Sequence, residues 1–185
     1  MRILREEAAA LIIDVQERLF PHMQAREELE RSLLVLIRGL QVLEVPLLVT
    51  QQYTRGLGET IPSLRQALGL GSPEPPPCLE KRAFSCCDET DIASSLAALG
   101  RKRIIVAGIE AHVCVLQTVL DLLAGGYTPV VAADCISSRR LGDRDTALRR
   151  LQTEGALLTT SESILFELTR TSAADIFKVI SRLVK

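Results

Sequence analysis

Short, continuous apolar runs alternate along this chain with longer segments in which apolar residues recur at helical spacing. The run Ala8–Ile13, AAALII, ends in Asp14 and has the length of a strand buried on both faces. Across residues 29–43 the apolar positions are Leu29, Leu33, Leu36, Ile37, Leu40 and Leu43, which predicts an amphipathic helix. Residues 45–50 (VPLLVT) predict a second strand, with Pro46 tolerable near its start. A polar, glycine-containing loop follows over 51–58, then one or two helical turns over 62–68. Further strands are expected at 79–84, 103–108, 128–134 and 156–160, and helices at 88–99, 143–154, 164–168 and 174–184. Another helix starts near Val113–Cys114 after the turn 109–112 and runs to Ala124. Asp88 or Thr90 can cap the helix at 88–99, and Gly100 ends it.

Strands that alternate with helices imply right-handed crossovers and a parallel sheet covered on both faces. The expected fold is a three-layer α/β/α sandwich with a six-stranded parallel sheet, formed by residues 1–185 as one domain. The stretch GSPEPPP at 71–77 reads as a rigid excursion within that domain, because neither flank could build a core alone.

Composition narrows the function classes. Apolar residues make up 47 % of the chain and aromatics 3 %, so the core is aliphatic. With 22 basic and 23 acidic residues there is no strong field, and neither nucleic acid nor a membrane is expected as a partner. No signal peptide is evident at the start, and no run reaches the ~18 apolar residues of a membrane span. The five cysteines, at 78, 86, 87, 114 and 135, are odd in number and lack metal-ligand spacing. A reducing, cytoplasmic setting is expected, without a disulfide framework or zinc site.

Three polar residues fall where a parallel sheet would gather them. Asp14 ends the first strand, Lys81 lies in the third, and Cys114 opens the helix after the fourth. Strand carboxyl ends share one edge, which is where open α/β sheets bind ligands. A helix start and a nearby cation can lower a thiol from ~8.5 into the range ~3.5–7.5. Asp14 can take the thiol proton and return it to a leaving amine, Lys81 can hold both anions, and helix-start amides can receive an oxyanion. Each residue also has a structural reading: Asp14 as a cap, Lys81 as a solvated cation, Cys114 as core. Cys78, Cys86, Cys87 and Cys135 read as packing or incidental. His112, two residues before Cys114, does not face it, and His22 reads as exposed or at a pocket rim.

The segments Asp14-Val-Gln16, Lys81 with Phe84-Ser85, Gly108-Ile-Glu-Ala-His-Val-Cys114-Val-Leu-Gln-Thr118 and Asp134-Cys-Ile-Ser-Ser-Arg139 together resemble the isochorismatase-like cysteine hydrolases. Among these the chain is most similar to isochorismatase domain-containing proteins, from Ala8 to about Leu168. The resemblance implies a triad of Cys114, Asp14 and Lys81. It also implies a cis peptide between Ile109 and Glu110 that turns the amides of Glu110 and Cys114 inward as oxyanion donors. The family commonly has Thr where this chain has Ala111, so backbone bonds or packing must hold the turn. Nicotinamidases carry Asp and His metal ligands after the second strand, where this chain has Gln51, Gln52 and Tyr53. No metal or other cofactor is therefore expected, and Gln51, Gln52 and Tyr53 become candidate pocket walls, with Gln16 and Phe84 from the matching motifs.

The expected activity is metal-independent hydrolysis of a small molecule, most readily an amide, through a thioester on Cys114. Vinyl-ether cleavage like that of isochorismatase is the other chemistry within the family. The competing class is a catalytically silent relative that serves as an oligomerisation or interaction module. A homo-oligomer is expected from the family resemblance and the apolar positions Ile164, Leu165, Leu168, Ile176, Val179, Ile180 and Leu183. A receiver domain lacks its acidic pair here, and no G-x-G-x-x-G follows the first strand.

Overall fold

All six residues of β1 (Ala8–Ile13) are buried, and alternation along it divides the core in two. Ala8, Ala10 and Ile12 join one apolar cluster, and Ala9, Leu11 and Ile13 join the other. The computed structural model describes residues 2–185. β1 lies within a six-stranded sheet with β2 (Leu47–Gln52), β3 (Cys78–Lys81), β4 (Arg103–Ile109), β5 (Thr128–Ser137) and β6 (Leu157–Thr159), in the order β3-β2-β1-β4-β5-β6. Every pairing is parallel. Helices α1 (Arg26–Val42), α3 (Pro62–Leu68), α7 (Ser161–Thr169) and α8 (Phe177–Leu183) supply the first cluster. Helices α4 (Thr90–Ala98), α5 (Leu116–Ala124) and α6 (Leu141–Thr153) supply the second. A short helix, α2 (Thr54–Leu57), follows β2. The sandwich is the one the alternating pattern predicts.

Several boundaries differ for local reasons. β2 starts later than expected because the Val45 amide still closes α1, donating to the Leu40 carbonyl at 2.9 Å. It also continues to Gln52, which pairs with Lys81. β3 ends at Lys81, short of Phe84, because the Glu89 carboxylate accepts the Arg82 and Ala83 amides at 2.7 and 2.8 Å and curls the chain. β5 runs on to Ser137: after a bulge, Ile136 and Ser137 pair again with Gly108 and Ile109. α4 begins at Thr90 with no side-chain cap, and Ser85 instead caps a 3-10 turn over Cys86–Asp88. β6 and α8 are shorter than predicted, and α7 starts earlier, at Ser161, with Thr160 as its cap.

The apolar residues expected to join copies of the chain are partly spent within it. Ile164, Leu165, Leu168 and Ile180 belong to its own core, leaving Val179 exposed and Ile176 and Leu183 half-buried.

Strand order reverses direction about β1 and β4, and this places a crevice at their carboxyl ends. There Gly108, paired with Ile13, has φ +126°, and a Cβ on it would drive into the Ile13 backbone. Gly108→Ala is accordingly expected to lower stability by about 3 kcal/mol, read as a drop in the urea midpoint.

Candidate active site

β1, β3 and the turn after β4 bring Asp14, Lys81 and Cys114 together. Asp14 leaves the sheet with φ +52°, which swings its side chain across the strand ends. Lys81 is 1 % exposed, and its Nζ meets Asp14 Oδ2 at 2.7 Å. The same ammonium donates to Gln52 Oε1 at 2.6 Å, the Phe84 carbonyl at 3.0 Å and the Ala83 carbonyl at 3.1 Å. Four oxygens thus surround the ammonium, the Asp14 carboxylate among them as its ion-pair partner. The Thr50 hydroxyl donates to Asp14 Oδ1 at 2.8 Å, while Oδ2 faces the Lys81 ammonium. That oxygen keeps a lone pair for another proton. The Cys114 thiol is within hydrogen-bonding reach of both Asp14 and Lys81.

The electrostatics correct one expectation. Cys114 does not sit in the first turn of a regular helix but in a π-helical turn, Ala111–Val115, ahead of α5. Burial, then the Asp14 charge, push its thiol up to about 12, against the pull of Lys81. The resting thiol therefore holds its proton, and the helix start does not supply a free thiolate. For Lys81, burial is the largest single effect and works toward deprotonation, but Asp14 together with the neighbouring Cys114 and Cys86 sulfurs outweighs it, and the ammonium titrates above its ordinary value.

The Ile109–Glu110 peptide is cis. Beyond it the Val113 and Val115 amides both donate to the Glu110 carbonyl, at 3.1 and 3.2 Å. The Glu110 and Cys114 amides take part in neither bond. Ala111 is fully buried, so backbone bonds and packing do hold this turn in place of a hydroxyl. The Glu110 carboxylate accepts the Arg139 amide and Nε, both at 3.1 Å, and so ties the turn to the end of β5.

The isochorismatase domain profile matches residues 8–163. The chain belongs to the isochorismatase domain family. Isochorismatase family protein 1B of Dictyostelium discoideum is 34 % identical over 186 residues, spanning 100 % of this chain and 89 % of that protein. Isochorismatase domain-containing protein 2A of Mus musculus is 34 % identical over 188 residues, spanning 100 % and 85 %. A solved structure described as the MAR1 ribonuclease of Caenorhabditis elegans superposes with TM-score 0.92 at 35 % identity, covering 100 % of this chain and 92 % of that one.

The other candidates of this isochorismatase-domain chain divide by placement. Gln16 is fully buried and bonded to backbone: it donates to the Gln52 and Gly58 carbonyls at 3.0 and 2.7 Å and accepts the Gln52 amide at 2.7 Å. Gln52 bonds Lys81 and, through Nε2, the Arg82 carbonyl at 2.7 Å. Gln51 is engaged with Thr60 and Thr54, at 3.0 and 3.3 Å. Only Tyr53 and Phe84, 39 % and 54 % exposed, present open surface beside Lys81, and the Arg82 guanidinium covers the Tyr53 ring at 4.1 Å. His112 faces away, with Nδ1 2.9 Å from Ser138 Oγ. Cys114 is 7 % exposed.

Thr50 was not among the candidates, although it is the only hydroxyl in an otherwise apolar strand and ends the predicted run. Cys86 likewise lies closer to the site than expected, its Sγ 4.0 Å from Thr50 Oγ1 and its amide bonded to Thr118 at 2.9 Å.

Proposed function

We propose that this chain is a metal-independent cysteine hydrolase of a small molecule, most readily an amide. One observation carries the reading: a buried Asp14–Lys81 ion pair with the Cys114 thiol in reach of both members. As Cys114 Sγ bonds to the carbonyl carbon, its proton passes to Asp14 Oδ2. The carbonyl oxygen, now negative, lies against the Glu110 and Cys114 amides. Asp14 returns the proton to nitrogen as the C–N bond breaks, and an amine leaves a thioester on Cys114. Water then adds to the thioester, Asp14 takes its proton, and cleavage of C–S releases the acid and restores the thiol. Lys81 pairs with Asp14 and offsets the charge that develops on sulfur.

The donor set supports metal independence. Gln51 and Gln52 are amides engaged with Thr60 and Lys81, and no histidine lies between His22 and His112. Tyr53 and Phe84 are the pocket walls best placed to meet substrate. The similar worm protein is described as a ribonuclease, but a net charge of −1 and a thiol 7 % exposed favour a small substrate over a polyanion. Five unpaired thiols suit a reducing, cytoplasmic setting. Association of copies would draw on Val179, Ile176 and Leu183 of α8.

The test is a panel of small amides with intact-mass detection and peptide mapping, needed because Cys78 is also exposed. An acyl adduct is expected on Cys114 and absent from Cys114→Ala. A Cys114 that forms no adduct and ignores iodoacetamide at neutral pH would instead point to a non-catalytic interaction module.

A further inference from the structure

Parallel pairing of β1 with β2 stops at Ile13 and Thr50, because Asp14 turns out of the sheet. Yet β2 continues for two more residues, and these carry Gln52 beside Lys81. On the side that β1 has vacated, the Gln52 backbone would lack partners. Gln16 supplies both: its Oε1 accepts the Gln52 amide at 2.7 Å and its Nε2 donates to the Gln52 carbonyl at 3.0 Å. One carboxamide thus stands in for a residue of the missing strand. Its second N–H donates to Gly58 at 2.7 Å and ties in the loop after α2. Gln52 in turn bonds the Lys81 ammonium at 2.6 Å, the shortest of that group's contacts.

We propose that Gln16 and Gln52 form a positioning relay: Gln16 extends β2 past the end of β1, and Gln52 fixes the Lys81 charge against Asp14 and Cys114. The inference rests on the hydrolase reading, which gives that charge its task. A carboxamide suits the position because it accepts a hydrogen bond without neutralising the ammonium. A carboxylate at 52 would keep the acceptor and compete with Asp14 for the charge. The relay also explains why two apparent pocket residues turn their polar atoms toward the protein.

The rate of Cys114 alkylation by iodoacetamide, followed by peptide mapping across pH, tests this without knowledge of the substrate. Gln52→Met has similar length and lacks the acceptor, and is expected to slow labelling at neutral pH by about tenfold while remaining folded. Gln52→Glu is expected to move the alkaline rise in labelling up by about one pH unit. Gln16→Glu keeps the acceptor but loses both donated bonds, and should follow Gln52→Met. Profiles for Gln52→Met and Gln52→Glu that both overlay the parent would overturn the relay. Should Gln52→Met fail to fold, Gln52→Glu, which retains the acceptor, decides alone. Failure of the hydrolase reading looks different: at neutral pH the parent Cys114 would then label no faster than Cys114 in Asp14→Asn, whatever residue stands at 52.

Discussion

Lys81→Met is expected to destabilise the protein by about 3–5 kcal/mol at neutral pH, the usual cost of stranding one partner of a buried ion pair. Asp14, 1 % exposed, would keep the Thr50 hydroxyl but lose its counter-charge. The carbonyls of Ala83 and Phe84 and the Gln52 oxygen would lose their shared donor as well. Adding Asp14→Asn should recover most of the loss, because a neutral pair needs no counter-charge. Lys81 titrates above its ordinary 10.5 in the folded chain. Its contribution is therefore fully present below about pH 10.5 and disappears as pH rises through the folded value. Urea unfolding of both single variants and the double variant, at neutral and alkaline pH, measures each part. A Lys81→Met chain as stable as its parent would show that the pair contributes nothing net.

The second large effect is on reactivity. With the thiol pushed up to about 12, ionisation to solvent is negligible at neutral pH, and in the proposed mechanism the proton goes to Asp14 as the sulfur reacts. That transfer exchanges no proton with water. Labelling of Cys114 should therefore be nearly flat from about pH 6 to about pH 10 and rise beyond it. Asp14→Asn removes the acceptor, and hydrolysis should fall by about 10²–10⁴-fold. It also removes a charge that holds the thiol high, so the alkaline rise should shift to lower pH. These opposite changes distinguish a general base from a merely structural carboxylate. Half-maximal labelling near pH 7 in the parent would contradict both.

The architecture was legible because β1 is an unbroken apolar run and α1 repeats at helical spacing, so burial alone fixes their type. Asp14 was legible as polar punctuation at a strand end, and Cys114 as a thiol at a helix start. Lys81 was legible as a candidate, although its surroundings were not. Four acceptors converge on its ammonium from residues 14, 52, 83 and 84, and no local pattern reports such convergence. The expected low thiol value failed for a related reason. A helix start was visible in the sequence, whereas the depth of burial and the carboxylate beside the sulfur are tertiary facts. Gln16 and Gln52 carry the polarity of a pocket wall, and only the departure of Asp14 from the sheet shows that their amides serve the backbone. The short β3 escaped because Glu89, eight residues beyond Lys81, sets where it ends.

Glu110 is held from two directions, its carbonyl by the amides of the π-helical turn and its carboxylate by Arg139. Arg139 is 63 % exposed at the side chain. A position open to solvent, and so free of the packing constraints that discipline a core, is thereby tied to the segment that carries Cys114. Sequence drift at this surface arginine could retune reactivity in related chains while every residue touching substrate stays the same. Divergence of activity within such a lineage need not begin in the pocket.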